Sequence, residues 1–82
     1  MSYTVVFKPR ALKDLKKLPK SEIRNIMLKI ESLQDGLAGA IKKFAAFTPE
    51  YRLRAGNYRV LFEIEGQRVV IYRVLHRKEA YR

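Results

Sequence analysis

Cysteine and tryptophan are absent from this sequence, histidine occurs once, and acids are scarce, with 8 Asp and Glu against 18 Lys and Arg. Without cysteine there is neither a disulfide framework nor a thiolate metal site, and one histidine cannot build a zinc centre alone. No cofactor is implied. The longest apolar runs span only a few residues, which excludes a transmembrane helix. The opening Met1-Ser2-Tyr3-Thr4-Val5-Val6-Phe7 is too short for the apolar core of a signal peptide, and Lys8 and Arg10 follow at once. The expected compartment is therefore the cytoplasm, which the lack of cysteine permits, and no membrane is expected among the partners.

What is present is compact and basic. A chain of 82 residues has room for one domain, 1–82, with a single modest core. A hydrophobic content of 48% argues against wholesale disorder. At a net charge of +10 the domain repels itself, so its surface suits a polyanion or an acidic partner. The halves differ in kind: residues 1–40 hold six Lys and two Arg, whereas residues 41–82 hold three Lys and seven Arg. Lysine serves general solubility, while the planar fork of arginine binds phosphate bidentately. The plainer reading is a solvated basic surface.

Tyr3 to Lys8 is β-rich and reads as a first strand. Pro9 fits the first turn of a helix, where its missing N–H costs nothing. Leu12, Leu15 and Leu18 then mark an amphipathic helix that Pro19 stops. Ser21, or a residue just before it, starts a second helix in which Ile23, Ile26, Met27, Ile30 and Leu33 form the buried stripe and Gly36 ends the run. Residues 37–50 read as a connection carrying Lys42 and Lys43. From Tyr51 the pattern alternates: Tyr51, Leu53 and Ala55 on one side, Arg52 and Arg54 on the other. Gly56-Asn57 is a hairpin signal. Tyr58, Val60, Phe62 and Ile64 form an apolar face, Glu65-Gly66-Gln67 turns the chain again, and Val69 to Arg77 is a last strand. The expected class is α+β, in the order β-α-α-β-β-β. Two N-terminal helices pack on one face of a mainly antiparallel sheet and leave the other face open.

Strand parity places the arginines. A two-residue Gly56-Asn57 loop sets Arg54 opposite Arg59. A three-residue second loop sets Val60 opposite Tyr72, Phe62 opposite Val70 and Arg59 opposite Arg73, with Arg77 two alternations further. Arg52, Arg54, Arg59, Arg73 and Arg77 then converge on the open face, with Glu63 the only acid among them. Like charges opposed on a sheet cost roughly 0.2–1 kcal/mol per pair. Such a cluster points to an anion site, with the backbone of RNA or DNA as the expected ligand. A face that merely solvates the sheet or meets an acidic protein is the plainer alternative.

Three segments carry a resemblance. The chain resembles the RelE/ParE superfamily of bacterial and archaeal toxin–antitoxin toxins in Val6-Phe7-Lys8-Pro9-Arg10-Ala11-Leu12-Lys13-Asp14-Leu15-Lys16-Lys17-Leu18, in the stretch Tyr51 to Ile64, and in Val74-Leu75-His76-Arg77-Lys78-Glu79-Ala80-Tyr81-Arg82. The RelE branch implies a ribosome-dependent endoribonuclease that cuts mRNA in the A site and so inhibits translation. The ParE branch implies an inhibitor of DNA gyrase, and a basic RNA-binding module is a third reading. Residues matching the RelE-branch site are Arg52, Arg54, Arg59, Arg77 and Tyr81. That branch often has lysine at the first pair; arginine there cannot act as a base.

Self-cleavage of RNA by its 2′-OH needs a base for that hydroxyl, positive charge at the phosphate and an acid for the leaving 5′-oxygen. Arg59 and Arg77 suit the charge. His76 suits proton transfer as base or acid, although a lone histidine is often structural. Tyr81 suits stacking or proton transfer, and Glu50 is a weaker base candidate. No metal is required for this scheme. Lys13, Lys16, Lys17, Lys20, Lys42 and Lys43 mark, with Arg73, a further surface for mRNA and ribosomal RNA. The resemblance also implies a co-expressed antitoxin, and a surface at +10 calls for an acidic one.

Overall fold

A computed structural model describes residues 3–35, 41–43, 49 and 51–80. Strand β1 (Thr4–Phe7) leads into helix α1 (Pro9–Lys16) and helix α2 (Lys20–Ser32), which tightens into a single 3-10 turn at Leu33–Asp35. Strands β2 (Ile41–Lys43), β3 (Tyr51–Ala55), β4 (Tyr58–Glu65) and β5 (Arg68–His76) follow, and helix α3 (Arg77–Ala80) is a single turn. The sheet runs β1-β5-β4-β3-β2, with β1 parallel to β5 and every other pair antiparallel.

The core lies between the two long helices and one sheet face. Ala11 and Leu15 of α1 and Ile26 and Ile30 of α2 meet Leu53, Val60, Phe62, Val69, Ile71 and Val74. Full burial of a side chain such as Phe62 or Ile26 stabilises by about 1.5–3 kcal/mol. The α1 stripe differs from the leucine row. Leu15 is buried and Leu18 partly so, but Leu12 is 46% exposed and Ala11 takes its place. A strict three-residue spacing winds off one helix face, whereas the i, i+4 pair Ala11–Leu15 stays on it.

Pro9 occupies the first turn of α1, as expected. Helix α2 begins at Lys20 behind an extended Pro19, which leaves Ser21 inside the first turn without a capping bond. Two further elements depart from expectation. Part of the presumed connection forms the edge strand β2, paired to β3. The last strand ends at His76, so Arg77 opens α3 and does not continue the β5 alternation. Gly36 lies outside the described residues.

The largest correction is in the β4–β5 register. Gly66 has φ +63° and closes a two-residue turn with Gln67, so Glu65 pairs with Arg68. Val60 then lies opposite Val74, Phe62 opposite Ile71, and Leu61 opposite Arg73, while Arg59 faces Leu75 rather than Arg73. One extra β5 residue, Tyr72, is absorbed by a bulge at this point. The bulge has a sequence cause: Val69, Ile71 and Val74 all reach the core, and their spacing of two then three residues cannot be met by regular alternation.

Candidate functional site

The sheet face away from the helices carries two cross-strand rows. In one, Lys42, Arg52, Leu61 and Arg73 occupy matched register positions on β2, β3, β4 and β5. In the next, Arg54 lies opposite Arg59, and Arg59 opposite Leu75. The pairing of Arg54 with Arg59 is the one expected from the Gly56-Asn57 turn. Arg54 is exposed, and Arg52 and Arg59 are half-buried. The face is not bare, however: Leu61 and Val70 on it are 8% and 4% exposed. Leu61 stands between Arg52 and Arg73 in register.

The hairpin turn organises two of the arginines. Gly56 adopts φ +62°, a conformation that favours glycine. Arg59 Nη1 donates to the carbonyls of Gly56 and Tyr58, both at 2.9 Å. The backbone N–H of Arg77 donates to the carbonyl between them, that of Asn57, at 2.8 Å. Three consecutive carbonyls thus fix the Arg59 guanidinium and the start of α3. Arg54, Arg59 and Arg77 are thereby brought to one end of the sheet. A cation held in this way requires little reorganisation when charge develops on a bound phosphate.

Arg73 is differently employed. Its Nε and Nη2 donate to Oδ2 and Oδ1 of Asp14 on α1, at 2.7 and 3.1 Å, and the N–H of Val74 donates to Oδ2 at 3.0 Å. Strand β1 pairs with β5 only as far as Ile71, so Asp14 satisfies an edge donor beyond its end. Burial opposes ionisation of Asp14. The bonds from Arg73 and Val74, with the charges of Arg73 and Lys17, outweigh it and hold the carboxyl below its ordinary range. Arg73 is correspondingly held above its own, chiefly by the bond to Asp14. The expected Arg59–Arg73 apposition is replaced by this ion pair. Nothing local in the sequence marks it, because the partners stand 59 residues apart.

His76 is not on the arginine face. It pairs with Tyr58 and meets that ring edge-on, with centroids 5.5 Å apart. His76 lies two residues beyond Val74 and shares the core side with it, whereas Val70, before the bulge, lies on the other side. Nδ1 accepts from the Lys78 N–H at 3.2 Å, which leaves Nε2 to carry the proton of the neutral ring. The ring lines a groove of about 330 Å³ with Asp14, Lys17, Tyr58, Arg73 and Glu79. Lys13, Lys16, Lys17 and Lys20 are exposed on the helices, on the opposite side of the molecule from Arg54. For Lys42 and Lys43 the backbone alone is described, and Glu50 and Tyr81 lie outside the described residues.

Comparison with known proteins agrees with this architecture. Residues 5–81 match the family described as the ParE toxin of type II toxin–antitoxin systems. The chain is 39% identical to toxin RelE3 of Methanocaldococcus jannaschii, over 94% of this chain and 93% of that protein. Among solved structures it is similar to the RelB–RelE antitoxin–toxin complex from Methanococcus jannaschii, at 38% identity and a TM-score of 0.76, covering 93% of this chain and 94% of that one. The archaeal RelE–RelB complex from Pyrococcus horikoshii shares the fold, with a TM-score of 0.81 at 23% identity over 96% and 99% of the two chains. The chain belongs to the RelE/ParE superfamily of type II toxin–antitoxin toxins.

Proposed function

We propose that this toxin is an endoribonuclease that cuts mRNA in the ribosomal A site and thereby inhibits translation. The observation that carries the reading is the arginine cluster at the Gly56-Asn57 turn, where Arg54 faces Arg59 and Arg77 is tied to the same turn. In the reaction, the 2′-OH of the message loses its proton and attacks the adjacent phosphorus. The bond to the 5′-oxygen breaks, and that oxygen takes up a proton. Arg54, Arg59 and Arg77 hold the phosphate as negative charge builds on it. Arg52 and Arg54 act as cations and not as bases, since guanidinium does not deprotonate in proteins. Proton transfer falls to Tyr81 in preference to His76, whose ring is on the other side of the sheet.

The exposed helix lysines form a separate surface for ribosomal RNA, consistent with a net charge of +10. The RelB–RelE complexes among the relatives support a cognate antitoxin, and the charge calls for an acidic one. The test is a reconstituted translation reaction on a defined message. The toxin should cut the programmed message with the A site empty and leave the same RNA intact when ribosomes are omitted. A second reading, inhibition of DNA gyrase without nuclease activity, is favoured by one observation: the matching family is described by its ParE member.

A further inference from the structure

On the arginine face, beyond the end of β1, a groove of about 420 Å³ is lined by Lys8, Pro9, Arg10, Pro49, Tyr72 and Arg73. Its place follows from register. Phe7 pairs with Ile71 and both pack on the core side, whereas Val6 pairs with Val70 on the far side. Lys8 and Tyr72, one alternation further, fall on the far face with Arg52, Arg54 and Arg59. Lys8 Nζ stands 5.1 Å from the Tyr72 ring centroid. The bulge turns Tyr72 and Arg73 to the same side, and the pair from Asp14 already engages Arg73. The groove is therefore lined by three rings, Pro9, Pro49 and Tyr72, together with the exposed cations Lys8 and Arg10. An aromatic platform beside cations is the composition that holds single-stranded nucleic acid, with a base on the ring and phosphates on the rim.

We propose that this groove is a base-stacking subsite for a nucleotide of single-stranded RNA flanking the one held at Arg54 and Arg59. The idea rests on the RNA-binding half of the nuclease reading, because it takes the same strand to cross both places. Along β5, Tyr72 is about 10 Å from Leu75, the end of the Arg54–Arg59 row. One strand can occupy both. The base lies against Tyr72, and Lys8 shifts from the ring to the adjoining phosphate. Stacking accepts any base, so the subsite fixes the path of the message without selecting a codon.

The test is binding of a short, fluorescently labelled single-stranded RNA to the whole chain, followed by anisotropy across a salt series. Tyr72→Ala should weaken binding about ten-fold, as loss of one stacked base does, and Tyr72→Phe should stay within about two-fold of wild type. Lys8→Ala should lower the salt slope by about one, and Tyr72→Ala should leave the slope unchanged. Wild-type protein should bind the same strand carrying abasic sites about ten-fold less tightly, a comparison that needs no folded variant. Equal binding by Tyr72→Ala, or equal binding of the abasic strand, overturns the subsite. If that happens while wild type still cuts ribosome-bound message, the nuclease reading stands alone. If stacking is found and no message is cut, the subsite stands and the nuclease reading falls.

Discussion

Arg59 and Arg77 are tied to the same turn: Arg59 Nη1 bonds the carbonyls of Gly56 and Tyr58, and the Arg77 N–H bonds the carbonyl of Asn57 between them. One side chain and one backbone group, from a strand and from the helix that ends the sheet, are thus referred to a common frame. Arg59→Ala and Arg77→Ala should each reduce cleavage of ribosome-bound message by at least about 100-fold, the usual effect of removing a transition-state donor. Circular dichroism should show the fold retained, since Arg77 is exposed and the Arg59 bonds to Gly56 and Tyr58 both stay within its own hairpin.

The turn itself can be strained without touching either arginine. A Cβ at Gly56 meets nothing within 4 Å, so the obstacle to Gly56→Ala is its φ of +62° and not space. The substitution should lower stability by roughly 1–2 kcal/mol, measured by urea unfolding. Gly56→Asn should cost less, because asparagine tolerates the left-handed region.

Asp14 makes stability depend on acid. Its carboxyl is held below the ordinary value of 3.8 in the fold, so it stabilises fully above that value. The contribution is lost as pH falls through the lower, folded pKa. Asp14→Ala leaves the Arg73 fork and the Val74 N–H without this acceptor and should destabilise by about 1–2 kcal/mol at neutral pH. The gap between wild type and Asp14→Ala, read from unfolding midpoints, should narrow steadily below pH 3.8. Lys17 faces the carboxylate and His76 and Glu79 share its groove, so the comparison is best made between these two proteins at each pH.

His76 is expected to be structural. Its Nδ1 is occupied by the Lys78 N–H and its ring packs against Tyr58, on the side of the sheet away from Arg54. His76→Gln should keep cleavage within about ten-fold of wild type, short of the 10²–10⁴-fold loss typical of a general acid or base. Single-turnover cleavage on programmed ribosomes measures this directly.

Local signals carried the first hairpin and failed at the second. Gly56-Asn57 marks a two-residue turn, and that alone sets Arg54 against Arg59. At Glu65-Gly66-Gln67, a three-residue loop keeps apolar opposite apolar by regular alternation, and a two-residue loop does so only with a bulge. Only the bulge at Tyr72, compelled by the spacing of Val69, Ile71 and Val74, decides between them. Arg73 was misplaced for that reason. Its bond to Asp14 joins a helix to a strand far along the chain, where no periodicity or motif reports a contact. Strand parity misread Arg77, because β5 ends one residue before it and α3 begins there; its assignment to the site rests on family resemblance.

The most direct test of the nuclease reading is primer extension on cellular messages after induction of the toxin, with Arg59→Ala and Arg77→Ala induced to the same level. Wild type should produce new 5′ ends in phase with codons inside translated regions, and neither variant should produce them. Intact messages accompanied by gyrase-linked DNA breaks would contradict the nuclease and favour the gyrase inhibitor.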